Sequence, residues 1–366
     1  MLKRNIFYLI LGILGAISGY FQWHLFQNAW LFLNESPWVF LFVLAPCLFV
    51  IPHTLSDYLP LWLEQLLGRV GGYYFFGAYY ATLFLFPFCL AKILFLMPAL
   101  APWQTPFLTA YAQGAAAAIM FVLAAGYWRG HHSIVRRINV TTNKPILREF
   151  TLAFASDIHL GPSIGPAFAK RMVADLNELQ ADLVLFGGDI IDGDLQTVLR
   201  EHSLEALAGI KAVWGVYAVL GNHDHYGFDI LLERQLLQEA GLTILSGKTV
   251  YPAEGVAITG VMDARYHTEE PVIPQVNEAF HIVMEHEPIH ISEAANAKGD
   301  LYLAGHTHAG QFWPQRNLVR KVFPFDYGIE FVKQLTAIVT SGYGAWGARF
   351  RLGPAPEIVL VTVKKI

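Results

Sequence analysis

Charged side chains are scarce in this sequence, and unevenly so. They make up 15% of its 366 residues, against about 25% in ordinary soluble domains. Of 25 basic and 29 acidic side chains, only ten fall within residues 1–137: Lys3, Arg4, Glu35, Asp57, Glu64, Arg69, Lys92, Arg129, Arg136 and Arg137. A stretch that poor in charge cannot present a soluble surface, so the chain divides into an apolar part and a soluble part. A basic excess is missing too: the net charge is -4 and the pI about 6.4. That excludes the positive face needed to hold nucleic acid. Cysteine is nearly absent. Cys47 and Cys89 are the only two, and both lie in apolar segments. The soluble part therefore has no disulfide framework, no thiol nucleophile and no cysteine metal ligand, and a metal site there must use His, Asp and Asn. Internal repeats and low-complexity tracts are also lacking.

What the apolar part does contain is runs of membrane-spanning length, which need about 20 apolar residues each. Four stretches qualify: 6–23, 38–53, 73–96 and 107–127, the second of which extends back through Leu31–Leu33. Trp23, Trp30, Trp38, Tyr73, Tyr74, Trp103 and Trp128 lie near their ends, where amphipathic rings favour the interface. Residues 59–67 read as a short helix on the membrane surface, with Leu61, Leu63, Leu66 and Leu67 beside Glu64 and Gln65. Lys3 and Arg4 ahead of an apolar run resemble a signal peptide, but no small-x-small cleavage site follows and three more spans do, so the first run reads as retained. In a four-span arrangement Lys3, Arg4, Arg69, Arg129, Arg136 and Arg137 share one side, and the loops 26–37 and 98–106 carry no Lys or Arg. The expectation is a multi-pass protein of the cell membrane whose C-terminal domain faces the cytoplasm. The expected organisation is a transmembrane region over 1–135, a polar linker over 136–149 and a catalytic domain over 150–366.

In the soluble part strands alternate with helices. Strands are expected at 150–155, 183–186 and 217–220, with helices over 167–179, 199–209 and 229–240. Further strands follow at 256–261, 281–284, 301–304, 336–340 and 358–363, with edge strands at 243–245 and 249–251. The fold class is α/β. Two packed sheets flanked by helical layers, an αββα sandwich, accommodate all of these strands, with a site at the strands' C-terminal ends.

Each strand end carries a polar cluster. Asp157-Ile158-His159 follows the first strand, Gly187-Gly188-Asp189 the second and Gly221-Asn222-His223-Asp224 the third. His286 and Gly305-His306-Thr307-His308 end later ones. Carboxylate, amide and imidazole ligands together suit divalent Mn, Fe, Zn, Mg or Ni. On an extended chain, residues i and i+2 of Asp-x-His or His-x-His point the same way and can reach one ion. Each fragment alone has an ordinary explanation, as a turn, a helix cap or a surface histidine. Five in order, each at a strand end, do not arise by coincidence.

The pattern resembles that of the calcineurin-like metallophosphoesterases: D-x-H, G-D-x-x-D, G-N-H-D/E, a His, and G-H-x-H. It covers about residues 150–366, and Gly305–Gln311 with Ser341-Gly342-Tyr343-Gly344 is similar to the membrane-associated bacterial branch. The resemblance implies that Asp157, His159 and His308 hold one divalent cation, Asn222, His286 and His306 a second, and that Asp189 bridges them. It implies that His223 protonates the leaving oxygen or stabilises phosphoryl charge, that Asp224 holds the other ring nitrogen of His223, and that Asp192 supports from a turn rather than binding metal. Two cations about 3.5–4 Å apart polarise a phosphoryl group and acidify a water for in-line attack as hydroxide, without a covalent nucleophile.

Substrate is less legible. Residues 312–325 interleave Phe312, Trp313, Leu318 and Phe323 with Arg316, Arg320 and Lys321. This reads either as a segment that dips into anionic headgroups or as a loop capping the site. Arg349 and Arg351 are candidate phosphate clamps. The partners expected are a lipid bilayer and a phosphorylated, lipid-linked substrate, and the bond a phosphodiester or pyrophosphate. Nuclease activity lacks a basic groove. A protein phosphatase, or a non-catalytic membrane scaffold or sensor, remains the alternative.

Overall fold

A computed structural model describes the chain except residues 1, 31, 32, 34–36, 194, 227, 228, 263–270 and the side chains of 2–5, 7 and 57. The chain divides into two compact units, Met1–Trp128 and Arg129–Ile366.

The first unit consists of helices α1 (Leu2–Phe26), α2 (Pro37–Leu44), α3 (Cys47–Thr54) and α4 (Leu61–Leu94), and most of α5 (Gln104–His131). Three helices are long and apolar enough to cross a membrane, or four if α2 and α3, bent by 40° at a short break, form one span. The proposed extension through Leu31–Leu33 falls largely outside the described residues. The surface helix expected at 59–67 is not separate. Its residues open the continuous 34-residue α4, with Glu64, Gly68, Gly71 and Gly72 buried. Small residues let helix backbones approach closely, which favours one packed helix over a detached amphipathic one. Gln22 ties α1 to α4, donating to Thr82 Oγ1 at 3.2 Å and to the Ala78 carbonyl at 3.1 Å.

The second unit carries two six-stranded sheets. The first, in the order β1-β12-β2-β3-β4-β5, contains β1 (Ile134–Thr142), β2 (Phe150–Ala155), β3 (Leu183–Gly187), β4 (Val216–Val219), β5 (Thr243–Ile244) and β12 (Glu357–Lys365). The second, β10-β11-β9-β8-β7-β6, contains β6 (Lys248–Ala253), β7 (Val256–Gly260), β8 (Phe280–Met284), β9 (Leu301–Ala304), β10 (Gly328–Val332) and β11 (Leu335–Val339). Leu152, Phe154 and Leu185 of the first sheet and Ile258, Ile282 and Leu303 of the second share one buried cluster, so the sheets pack face to face. The outer face of the first sheet is covered by α6 (Pro166–Glu178), α7 (Leu195–Arg200) and α8 (Ile230–Glu239), through Met172, Val198 and Leu237. The second is covered by α9 (Ile291–Asn296) through Ala294 and Ala295. The αββα architecture is therefore as expected.

Three details differ. Residues 136–142, expected in a linker, belong to β1, which runs parallel to β12 from Ile134↔Glu357 to Thr142↔Lys365. Alternating burial at Ile138, Val140 and Thr142 shows why: every second side chain faces the core, a strand pattern that the polar residues between them conceal. The helix expected over 199–209 is two pieces, α7 and a 3₁₀ turn at Leu204–Gly209. They are separated where His202 takes a left-handed φ of 59°. Finally, β10 was not foreseen; it extends the second sheet as an antiparallel edge beside β11.

Candidate metal centre

β2, β3 and β4 are parallel, so the turns that follow them gather at one end of the first sheet. The turns after β8 and β9 reach the same place. Asp157, His159, Asp189, Asn222, His286 and His308 are buried. All seven expected ligand residues converge there.

The local backbone is not the extended one assumed from the Asp-x-His pattern. Asp157, His159, Asp189, His306 and His308 all take left-handed φ values between 48° and 68°. Left-handed residues on either side of an ordinary one bring together the side chains of Asp157/His159, and of His306/His308, where His308 opens a run of positive φ through Gln311. Such residues cost about 1–3 kcal/mol each and persist where the surroundings over-determine them. The surroundings here are tight. A Cβ on Gly221 would lie 2.2 Å from Asp189 Oδ1, and one on Gly305 2.4 Å from Asp157 Oδ2, so only glycine fits beside the carboxylates.

Three groups of potential ligand atoms result: Asp157, His159 and His308; Asp189, His286 and His306; and His159, Asp192 and His223, which is described below as a hydrogen-bonded set. In the first, His159 Nε2 is 3.0 Å from His308 Nε2, and His308 Nε2 3.6 Å from Asp157 Oδ1. In the second, His286 Nε2 faces Asn222 Oδ1 at 3.1 Å, His306 Nδ1 at 3.1 Å and Asp189 Oδ2 at 3.2 Å. Asp189 Oδ1 accepts the His223 backbone N–H at 2.8 Å. Its Oδ2 stands between the groups, 3.2 Å from His286 and 3.8 Å from His159.

These atoms fit a divalent cation on their own chemistry. His286 Nδ1 lies 2.8 Å from the Gly187 carbonyl and must donate its proton there, which leaves Nε2 as a lone pair. Asn222 Nδ2 donates to Tyr226 Oη at 3.2 Å, which turns Oδ1 inward. A carboxylate, an amide oxygen and a bare imidazole nitrogen thus crowd together with no hydrogen among them. Without a cation a proton must take its place. Burial lowers the pKa of His286, but the Asp189 charge outweighs it and lifts it to about 10. Burial likewise pushes Asp189 up, while His286 and His223 hold it well below the carboxylate range. His308, buried and beside His159 and the Arg351 guanidinium, is driven well down, which keeps its ring neutral.

His223 is placed beside this group, its ring 4.7 Å from that of His159. Its partner corrects the reading of the sequence. Asp192, not Asp224, lies at His223 Nδ1, 2.7 Å away, and the same Oδ1 is 3.1 Å from His159 Nδ1. One carboxylate therefore sets the tautomer of both rings, leaving each Nε2 free. Burial lowers the pKa of His223, yet Asp189 and Asp192 together raise it to about 8. Asp224 instead holds the turns, its Oδ1 accepting the N–H of Ile190 and Ile191 at 2.8 and 2.9 Å and its Oδ2 that of Gly221 at 2.8 Å. Burial and the nearby Asp189 push its pKa up to about 6. A carboxylate satisfied by three backbone donors has no claim on an imidazole, so Asp224 and Asp192 exchange the roles expected of them.

The two arginines also change. Arg351 is fully buried and cannot clamp a substrate. Its guanidinium donates to the carbonyls of His308 at 3.1 Å and Gly344 at 2.7 Å, fixing the loop behind His308. Arg349 lies over the Phe168 ring. Glu287, not singled out from the sequence, stands 3.7 Å from His306 Nε2.

Comparison with known proteins identifies the family. The model of the calcineurin-like phosphoesterase family matches residues 150–310. An uncharacterized metallophosphoesterase of Aquifex aeolicus is 31% identical over 243 residues, 63% of this chain and 91% of that protein. One from Helicobacter pylori is 29% identical over 247 residues, 63% of this chain and 65% of its own length. A zebrafish protein named as a transmembrane protein with metallophosphoesterase domain is 31% identical over 238 residues, 60% of this chain and 54% of its own. The chain thus spans less than two thirds of those last two relatives.

Proposed function

The chain belongs to the calcineurin-like metallophosphoesterases, and we propose that it is a phosphoric ester hydrolase anchored in the cell membrane that cleaves a phosphodiester or pyrophosphate of a lipid or lipid precursor. The observation that carries the reaction class is the convergence on Asp189 Oδ2 of His286 Nε2 and His159 Nε2, one from each group. In this reading Asp157, His159 and His308 would hold one divalent cation and Asn222, His286 and His306 the other, with Asp189 available to both. Bound there, such ions would supply the charge that polarises the phosphoryl oxygens and acidifies the attacking water. The chain's own part is to fix these ligands in strained turns, exclude bulk water by burial and present His223. With Nδ1 held by Asp192 and a pKa raised to about 8, His223 carries a proton at Nε2 near neutral pH and delivers it to the leaving oxygen. Asp192 positions it.

Membrane anchoring is supported by the three or four helices of spanning length. The cytoplasmic orientation requires α2 and α3 to form one span, which puts Lys3, Arg4, Arg69, Arg129, Arg136 and Arg137 on one side and no Lys or Arg in the opposite loops. A lipid-borne substrate follows from tethering such a site to a bilayer.

The test is turnover of bis-p-nitrophenyl phosphate against p-nitrophenyl phosphate by the full chain with Mn²⁺, Ni²⁺, Zn²⁺ or Mg²⁺ added. Metal-dependent turnover favouring the diester is expected. Faster turnover of the monoester overturns the diesterase reading, and no turnover with any metal leaves the scaffold alternative standing.

A further inference from the structure

The segment after β9 presents an apolar and basic face beside the metal centre. Trp313, Leu318 and Val322 are 64%, 55% and 70% exposed, and Phe331 on the edge strand β10 is 76% exposed. Leu318 and Val322 stand four residues apart on α10 (Arg316–Val322) and so share one helix face, with exposed Lys321 next to them. A solvated loop has no reason to expose an indole, two branched aliphatics and a phenyl ring within twenty residues.

The segment is held rigidly, and to the centre itself. Asp326 is buried and accepts from Arg316 Nε at 2.6 Å and from Arg320 Nε at 3.2 Å. Its carbonyl accepts the Thr307 hydroxyl at 2.5 Å, and Thr307 lies between His306 and His308. Phe323 packs edge-on against His306, ring centres 5.2 Å apart. The exposed apolar residues are thus the outer side of the same piece whose inner side touches a metal-ligand candidate. Residues 312–333 carry Arg316, Arg320, Lys321 and Lys333 against Asp326 and Glu330, a net charge of +2.

We infer that this segment is an interfacial wedge: Trp313, Leu318 and Val322 enter the headgroup region of an anionic bilayer, with Lys321 on its phosphates, so that a lipid-borne substrate reaches the metal centre without leaving the membrane. The occupant follows from charge and composition. Exposed tryptophan, aliphatic and lysine side chains on one short segment match the apolar boundary and negative charge of an anionic leaflet, and the chain carries three or four helices of membrane-spanning length. The substrate route rests on the phosphoesterase reading above; the docking does not.

The test uses the full chain in lipid nanodiscs. Cys47 and Cys89, both exposed, are replaced by serine. A bimane label is then placed at Val322→Cys or, as a control, at Val213→Cys, which is 85% exposed just before β4, away from the strand ends that carry the site. With doxyl-lipid quenchers, the label at 322 is expected to be quenched at least twofold more than that at 213 in discs containing phosphatidylglycerol. The difference should shrink in neutral discs and at 1 M salt, where the screening length falls to about 3 Å. Equal quenching at both positions, or none at 322, overturns the wedge. So does a concentration-dependent emission shift at 322 without quenching, which assigns the face to a second copy. Turnover of bis-p-nitrophenyl phosphate by the same discs scores the phosphoesterase reading separately. Quenching without turnover upholds the wedge and sinks that reading, and turnover without quenching does the reverse.

Discussion

Replacing Asp192 by asparagine separates the two assignments that the site leaves in competition. Asp192 Oδ1 serves His223 Nδ1 at 2.7 Å and His159 Nδ1 at 3.1 Å, so the substitution acts on an acid and on a ligand together. Loss of a carboxylate behind a metal-binding histidine typically weakens metal affinity or activity by about 10–100-fold. Loss of a correctly held general acid costs about 10²–10⁴-fold in kcat. The expected outcome for Asp192→Asn is weaker metal binding and a fall in kcat of about 10²-fold or more at saturating metal. The fall should be smaller with p-nitrophenyl esters, whose leaving group needs little proton assistance, than with alkyl esters.

The pH profile carries the sharper signature. Burial opposes the imidazolium of His223, and Asp189 and Asp192 together lift its pKa from the usual 6.5 to about 8. An acid must be protonated to act, so activity holds below that pKa and declines as pH rises through it. Cations at the site shift this alkaline limb downward in wild type and variant alike. Removing the Asp192 charge destabilises the imidazolium further and moves the limb lower again, by on the order of one pH unit. Asp224→Asn is the control. It loosens the 189–191 and 221–224 turns, lowering thermal stability, and leaves the limb where it was. A limb that moves in Asp224→Asn and stays fixed in Asp192→Asn refutes the geometry and restores the pairing inferred from the sequence.

Three other outcomes are expected. Asp189→Asn should abolish turnover and reduce bound metal measured by elemental analysis, because Oδ2 faces both groups of ligands; retention of two ions with most of the activity is incompatible with a shared ligand. Arg351→Met leaves the His308 and Gly344 carbonyls without their buried donor and should destabilise the chain by about 1–3 kcal/mol, a Tm fall on the order of 5 °C by scanning fluorimetry. His281 is buried, with Nε2 2.7 Å from Thr259 Oγ1, and burial, aided by Lys144, lowers its pKa to about 4. The unfolded chain therefore takes up that proton first, so stability is full above 6.5, falls as pH drops towards 4 and reaches a deficit of about 3 kcal/mol. Between pH 7 and pH 4.5, wild type should lose more Tm than His281→Gln.

Much of the fold was legible because the strands announce themselves. Leu183–Gly187 ends in glycine and Leu301–Ala304 runs into Gly305; both are short apolar runs, and each is fully buried, which is the condition that makes such a run recognisable. β1 was missed for the opposite reason. At the sheet edge, only alternate residues of Ile134–Thr142 face the core, and Arg136, Arg137 and Asn139 between them read as a connector. The 59–67 surface helix was mistaken because Glu64 looks interfacial by type, whereas the packing of α4 buries it. Chain order and residue type expose which side chains meet only when the meeting is encoded locally.

The site illustrates that limit in both directions. Asp157, Asp189 and His306 could be named because each stands next to a strand end and the strands are parallel, so topology alone brings them together. The pairing of His223 could not. Asp224 is its neighbour in sequence and Asp192 is distant, yet backbone N–H groups from Ile190, Ile191 and Gly221 claim Asp224 first. Those donors are available because Asp189 sits in a left-handed turn with φ 51°, which aims the following N–H groups inward. The same strained turn places Oδ2 of Asp189 between the two groups of ligands. Backbone strain, carboxylate placement and choice of acid partner are thus one local conformation seen from three sides. No residue-type pattern records a φ angle, so the ligands were readable and the wiring behind them was not.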